Sequence, residues 1–395
     1  MSAPIGAVHL GKGRVVVAGL DVPAKGLRVR VFDAGRPAPL DAAADPMLFA
    51  GELTWSSDAE VSGYAAPSGS SGAVFVWSGS AGGKRVRRAV RLDAAAAPSG
   101  APFEVMSATC ASADGMHWSD GRAITGRAWS GAPLTPHTLA EEKEASIFCS
   151  TRAAFALVDD EDGVSVMRLD GDAGASVPLW RDAELAKDEL RERGEFVVDQ
   201  DFGLVRLGAS GALVLREVRA GALGPLRKLS TTLSKDEEIV AVDAAASHVV
   251  LVARTDVSAR CPPGDAGRSS AKLRVVRVDR ASFEERTFDV APTECGAELG
   301  PFFTGVTRAG VSVAWAERGP TAGGAAPITG LSWITVDARG ELSQPVRRAL
   351  EADALADAGC DPDGCWAGAL MRRPGTDVMV AGYALAIPWG SSAQP

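Results

Sequence analysis

The stretch Leu331–Val346, LSWITVDARGELSQPV, runs as alternating apolar and polar residues, then a turn at Asp-Ala-Arg-Gly, then a second short run. Strict alternation places every second side chain on one face of a pleated strand, so the phrase reads as strand, turn, strand. It is not unique in the chain. Leu27–Leu40 (LRVRVFDAGRPAPL), Val164–Leu179 (VSVMRLDGDAGASVPL), Leu213–Leu226 (LVLREVRAGALGPL) and Leu273–Phe288 (LRVVRVDRASFEERTF) repeat it, usually with Asp or Gly at the turn. Fainter copies start at Val74 (VFVWSGSAGG), Ile124 (ITGRAWSGAPL) and Val378 (VMVAGYALAIPW), and the eight starts are spaced about fifty residues apart.

Working outward from each phrase adds two more strands. Phe302–Arg308 and Val311–Arg318 precede Leu331, joined by Ala-Gly. Ile239–Asp243 and His248–Thr255 precede Leu273 across Ala244–Ser247, and Phe196–Asp201 leads through Phe202-Gly203 into Leu204–Leu207. Four short strands at this period form the repeat unit of a propeller blade. The chain thus resembles the broad β-propeller superfamily over its length, without WD, kelch or a complete Asp-box series. The fold expected is all-β: a single closed propeller of about eight, alternatively seven, four-stranded blades. Approximate blades are 1–45, 46–98, 99–143, 144–194, 195–236, 237–297, 298–350 and 351–391. One short helical insertion is predicted at Asp182–Arg193 (DAELAKDELRER), where Glu184/Asp188 and Lys187/Arg191 fall at helical spacing. Leu139–Ser146 and Arg347–Ala358 are read as shorter helices in equivalent connections.

Size and charge narrow the function classes. The 395 residues are 46% hydrophobic and 23% charged, enough apolar content for a large core. A net charge of −9 excludes nonspecific nucleic-acid binding, which needs a basic excess. No run of about 18 apolar residues is present, so no transmembrane helix is expected.

Six cysteines fall in three close pairs. Cys360 and Cys365 flank Asp-Pro-Asp-Gly, a good hairpin turn, and would face each other across paired strands. Cys261 and Cys295 bracket two strands of one blade whose connections leave from one side. Cys110 and Cys149 occupy matching first strands of successive blades. Three disulfides imply an oxidising compartment. The opening MSAPIGAVHL lacks the basic start and apolar stretch of a signal peptide, so the expected location is extracytoplasmic (periplasmic, outer-membrane lipoprotein or secreted), with the export signal removed.

Chemistry is sparse. His9, His117, His137 and His248 lie in different units without ligand-like spacing, and nucleophile-elbow, dinucleotide and P-loop signatures are missing. No cofactor and no metal site is expected. Asp159–Gly163 (DDEDG) and Cys360–Cys365 (CDPDGC) lack the alternating ligands and distal Glu of a calcium loop and read as solvated turns. Ser112–Trp118 (SADGMHW) is similar to the Asp-box turn of sialidase-like propellers, which implies a structural hairpin and carries no activity. Of nine tryptophans, Trp77, Trp315 and Trp333 sit in apolar runs and read as core.

In a four-stranded blade the second-to-third and fourth-to-first connections leave from one side, and the long insertions Val257–Ala271 and Gly319–Gly330 fall among them. Loops on a rigid scaffold are where binding concentrates. The sequence therefore points to a noncatalytic binding or scaffold propeller engaging a protein or glycan partner at the cell envelope. Trp180, Arg181, Arg260 and Arg268 are its candidate binding residues. The rival reading is a carbohydrate-active enzyme with paired carboxylates at the mouth of a central channel.

Overall fold

The computed structural model describes residues 5–11, 14–21, 26–33, 47–48, 61–65, 73–81, 83–93, 95–106, 109–112, 114–139, 145–150, 152–160, 163–170, 176–181, 189–257, 270–290, 298–319, 327–362, 364–372 and 379–388. It is organised as eight antiparallel sheets, each a meander of successive strands. The first holds β1 (Ile5–Gly11), β2 (Arg14–Asp21), β3 (Gly26–Asp33) and β4 (Met47–Leu48). The second holds β5 (Val61–Ala65), β6 (Ala73–Ala81), β7 (Lys84–Leu92) and β8 (Phe103–Val105). The third holds β9 (Thr109–Ala111), β10 (Gly115–Ser119), β11 (Ala123–Ala128) and β12 (His137–Thr138). The fourth holds β13 (Ala145–Cys149), β14 (Ala154–Asp160), β15 (Gly163–Arg168) and β16 (Ser176–Arg181).

The fifth sheet holds β17 (Leu190–Val198), β18 (Asp201–Gly208), β19 (Ala212–Arg219), β20 (Ala222–Leu223) and β21 (Arg227–Thr232). Both β20 and β21 pair with β19, at Val218–Arg219 and Ala212–Leu215 respectively, so together they are one broken fourth strand. The sixth holds β22 (Glu237–Ala244), β23 (His248–Val257), β24 (Ser270–Asp279) and β25 (Glu285–Val290). The seventh holds β26 (Glu298–Thr307), β27 (Gly310–Arg318), β28 (Ile328–Asp337) and β29 (Val346–Ala352). The last holds β30 (Ala354–Asp361), β31 (Gly364–Arg372) and β32 (Met379–Pro388). These are blade sheets of the β-propeller type, as the repeat predicts. By chain contacts the molecule divides into two compact units: residues 1–177, 354–358 and 366–395, and residues 178–353 and 359–365.

Apolar side chains from consecutive sheets interleave. In the first unit Val8, Val16 and Val29 meet Phe75, Trp77, Val90 and Leu92. Val74, Val76, Ala89 and Val105 meet Met116, and Ile124 and Leu139 meet Ala154, Ala156 and Val158. In the second unit Val205, Leu213 and Leu215 meet Val249 and Leu251. Val250, Val252 and Val275 meet Val311, Val313 and fully buried Trp315. Second and third strands such as β18, β27 and β28 thus bury both faces, which is why they read as Val- and Leu-rich runs rather than clean alternation. Burial of one such side chain contributes roughly 1.5–3 kcal/mol.

The Asp of the repeated phrase has a physical role. It ends the third strand, and its carboxylate caps the turn into the fourth. Asp93 Oδ1 accepts N–H groups of Ala95 (2.8 Å) and Ala97 (3.0 Å). Asp337 Oδ1 accepts those of Arg339 (2.8 Å) and Glu341 (2.9 Å), and Asp279 Oδ1 those of Ala281 (3.0 Å) and Ser282 (2.8 Å). These are Asx turns. The N–H donated by Ser282 leads in holding the Asp279 carboxyl down at about 2.

Several expectations are corrected. The predicted helix at Asp182–Arg193 falls outside the described residues up to 188, and from Leu190 onward the chain is strand β17. Arg347–Ala358 lies in β29 and β30, and the described part of Leu139–Ser146 includes the start of β13. Helical i,i+4 charge pairs supply a few tenths of a kcal/mol each. Backbone pairing of β17 with β18 from Leu190↔Gly208 to Val198↔Asp201 outweighs them. The turn expected at Phe202-Gly203 sits instead between Val198 and Asp201, with Asp199 at φ 52°. The blade joins shift too: β4 lies beyond 45, β8 beyond 98, and β17 begins before 195. Finally, the Val74 phrase is the second strand of its sheet, β6, and not the third. The true third strand is β7, KRVRRAVRL, whose cations mask its apolar alternation.

Candidate functional site

Of the four sequence-derived binding residues, Trp180 and Arg181 fall within the described residues, both on β16. Trp180 lies in β16 and is only 4% exposed. Its neighbour Leu179 is equally enclosed. Following an apolar run, its ring serves packing, which corrects its reading as a surface binding residue. Arg181 ends the same strand. Arg260 and Arg268, together with Cys261 and Cys295, fall outside the described residues. The other two cysteine pairs are disulfides: Cys110–Cys149 joins first strands β9 and β13, and Cys360–Cys365 spans the β30–β31 hairpin. Trp77, Trp315 and Trp333 are core, as expected.

Among the described residues the open cleft of note lies in the first unit. It measures about 470 Å3 and is lined by Arg85, Val86 and Arg87 of β7, Glu104 and Val105 of β8, Met106, and Trp118 of β10. Its position follows from topology. The start of β7 succeeds a second-to-third-strand turn, the end of β8 begins a fourth-to-first connection, and Trp118 precedes the β10–β11 turn. All three belong to the side of a blade meander from which the loop-rich connections leave.

The walls are held by local chemistry. Lys84–Leu92 pairs along its length with β6, from Ala81↔Lys84 to Ala73↔Leu92. On one face Val90 and Leu92 enter the core shared with the first sheet. On the opposite face Ala89 packs with Val105 and Met116, and Phe103 and Trp118 pack against that cluster. Arg91 lies over the Trp129 ring (5.3 Å) and Arg127 over Phe103 (5.7 Å), so cations and aromatic faces alternate along the seam. Beside Trp118, Asp120 closes a tight turn by accepting N–H groups of Arg122 (2.8 Å) and Ala123 (2.7 Å). These bonds, Arg122 first, hold its carboxyl below the usual range.

Electrostatically the cleft is basic at its rim. Five of the nine residues of β7 are Lys or Arg in a chain of net charge −9. Met106 is 50% exposed and adds an apolar edge. Among the described residues one carboxylate, Glu104, lines the cleft. Arg, Met and Trp together suit recognition of an acidic, partly apolar partner. Sequence reading missed this site because β7 does not look like a strand. The available signal was that Val86, Val90 and Leu92 share one parity of the strand, with Arg88 interrupting the alternation.

Acidic and basic groups of the second unit are matched to one another. In the second unit Glu217 accepts from Arg280 Nε (2.6 Å) and Arg219 Nε (3.0 Å), while Arg280 also donates to Asp201 (2.8 Å). This lattice ties the fifth sheet to the sixth. Among the described residues no group of three His, Cys, Asp or Glu side chains has metal-binding geometry.

No known protein family and no curated protein matches the chain. Solved structures of similar form include Sqt1 from Saccharomyces cerevisiae, with 10% identity, 98% of this chain and 95% of that one covered, and a TM-score of 0.48. The Neurospora crassa Pan2 WD40 domain has 9% identity, coverage of 80% and 87%, and a TM-score of 0.42. A post-proline cleaving enzyme from Rickettsia typhi has 12% identity, coverage of 94% and 58%, and a TM-score of 0.44.

Proposed function

We propose that the chain is an exported, noncatalytic binding propeller that engages a protein partner through the cleft between β7, β8 and β10. The observation that carries this reading is the cleft's composition among the described residues: Arg85, Arg87, Met106 and Trp118 beside Glu104. Arg, Met and Trp are the residue types enriched where proteins meet proteins. Glycoside chemistry needs two carboxylates at a set separation, and among the described lining residues Glu104 is the one carboxylate. Export is supported by the two disulfides, which persist in oxidising compartments.

The test is site-directed photocrosslinking in the native cell. A benzophenone amino acid at position 106 should give a discrete protein adduct, and one at Val306, exposed on β26 of the other unit, should not. Arg85→Glu with Arg87→Glu should remove the adduct. Absence of an adduct at position 106, or turnover of a glycan panel abolished by Glu104→Gln, would overturn the proposal.

A further inference from the structure

The hairpin between first and second strands follows one pattern in three of the sheets, and the sixth sheet departs from it. Ser112, Ser150 and Thr307 each send a hydroxyl to the carbonyl three residues on, at Gly115, Ala153 and Gly310. That second position is crowded. A Cβ on Gly115 would fall 2.2 Å from the Arg127 carbonyl oxygen, and one on Gly310 2.0 Å from that of Val336. In the sixth sheet the two positions hold Ala245 and His248, joined by the Ala245 N–H to the His248 carbonyl (2.9 Å). A titratable ring thus stands where those three hairpins keep glycine or alanine. Departures from a fold's own local rules are expected at functional or strained sites.

The ring is sealed in. His248 is 0% exposed, and its Nδ1 lies 2.9 Å from Ser247 Oγ. Its Nε2 is buried with no hydrogen-bond partner among the described residues. Arg277 on β24 is also buried, and its Nε likewise has no partner among the described residues. Its guanidinium reaches the seventh sheet, where a Cβ on Gly340 would lie 2.5 Å from that Nε. The charged groups about the ring are Arg277 and Asp279 from β24 and Asp337 from β28, and the Val336 main chain faces it from β28 as well. Both carboxylates are already engaged. Asp279 accepts from Arg277 (3.0 Å) and caps its own turn, and Asp337 caps the turn to Glu341. A proton on the imidazole would therefore be carried in a closed space beside a guanidinium. Burial first, and then Arg277, holds the ring below its usual 6.5, against the opposing pull of Val336, Asp279 and Asp337.

We infer that His248 is a proton-operated joint between the sixth and seventh sheets: when the imidazole takes up a proton, the turn from Asp337 to Glu341 comes away from the β22–β23 hairpin and water reaches the ring. Histidine is the side chain whose charge changes near neutral pH. The sign is fixed by which state holds the proton more tightly. A solvated ring binds it at about 6.5 and the enclosed ring only at lower pH, so the joint is closed above 6.5 and weakens as pH falls below it. Deeper in the seam, Val250 and Val252 keep their apolar contact with Val311 and Val313, which confines the opening to the turn ends. The joint belongs to the second unit and stands independently of the cleft.

The experiment is hydrogen exchange read by mass spectrometry on the intact chain at pH 7 and pH 5, with rates corrected for the intrinsic effect of pH. Protection in the segments 239–252 and 331–342 should fall at least about fivefold at pH 5, since each pH unit changes proton occupancy about tenfold. The segment 213–219 of the fifth sheet should change less than about twofold. His248→Ala, which copies Ala153 of the fourth sheet, should keep the same protection at both pH values, and His248→Gln serves as a second neutral replacement. Arg277→Gln removes the repelling neighbour and should shrink the acid loss. Unchanged protection of the natural chain at pH 5 would overturn the proposal without any variant. So would an equal loss in the fifth sheet, or an acid loss that persists in full when the imidazole is replaced.

Discussion

Ser112 Oγ lies 3.0 Å from Nε2 of His117, with both side chains buried at a turn between first and second strands. Thr307 and Ser312 repeat the arrangement in the seventh sheet, with the same five-residue spacing and oxygens 3.1 Å apart. The backbone is pinned alike, Ser112 Oγ and Thr307 Oγ1 donating to Gly115 and Gly310 carbonyls. A serine beside a histidine invites a nucleophile–base reading, but the recurrence with Thr and Ser identifies a latch on the hairpin.

Stability should depend on pH through this latch. Burial is the main cause that lowers His117 from 6.5 to about 4, partly offset by Asp170 and Asp114. The unfolded chain then binds more protons between those values, so stability is full above about 6.5 and lost as pH falls toward 4. The loss amounts to about 3 kcal/mol, from roughly 1.4 kcal/mol per pH unit. Denaturant midpoints at pH 7, 5.5 and 4.5 should fall progressively, and His117→Gln should flatten that part of the curve while lowering the value at pH 7. An unchanged slope in the variant would assign the acid sensitivity elsewhere.

How much of this was readable follows from which forces the residues report. The phrase LSWITVDARGELSQPV announces both strands and the Asp turn, because alternation and Asx capping are local. The cysteine pairs Cys110–Cys149 and Cys360–Cys365 followed once the repeat fixed their register. KRVRRAVRL did not, since its cations are accommodated by Trp129 and by a rim that only the neighbouring sheet creates. Trp180 misled for the converse reason: proximity to a polar stretch in sequence says nothing of the β16 packing that encloses it. The cleft is a product of where β8 stops, and strand length is set by pairing, not propensity.

Glu317 should be intolerant of losing its partners. Its carboxylate is 0% exposed and accepts from Ser332 Oγ (2.5 Å) and Arg347 Nε (2.6 Å). A Cβ on Gly330 would come within 3.0 Å of the Arg347 guanidinium, so the small residue makes room for the pair. Arg347→Met removes the cation that faces this buried carboxylate and should cost about 3–5 kcal/mol, whereas Arg347→Met with Glu317→Leu should recover much of the loss. Urea unfolding of the double-mutant cycle measures this, and additive losses would show that the pair is not coupled.

Gly203 faces Phe196 across β17 and β18, and a Cβ there would fall 2.0 Å from the ring carbon Cζ. The ring covers the glycine, and displacing it from its core cluster is the expected cost of Gly203→Ala. A loss of about 1–3 kcal/mol follows for overpacking of this kind. Phe196→Val should cost stability alone yet make Gly203→Ala nearly neutral. Thermal unfolding of the four proteins decides it: if Gly203→Ala is equally damaging in both backgrounds, the ring is not what it meets.

The two disulfides should differ in worth because of what they close. Cys110–Cys149 spans a sequence separation of 39 and Cys360–Cys365 one of 5. Loop-closure entropy removed from the unfolded chain gives about 4 kcal/mol for the first and about 2 kcal/mol for the second. The long bridge also fastens β9 beside the latch, since Cys110 pairs directly with His117 on β10. Paired Cys→Ala replacement should therefore lower the denaturant midpoint more at 110/149 than at 360/365. The Cys110→Ala/Cys149→Ala chain should also show a flatter acid limb, because a loosened β9 lets water reach His117 and raises its native pKa back toward the unfolded value. Equal losses, or an unchanged acid limb, would mean that the third and fourth sheets hold their relation by packing of Ile124 and Leu139 on Ala154 and Ala156 alone.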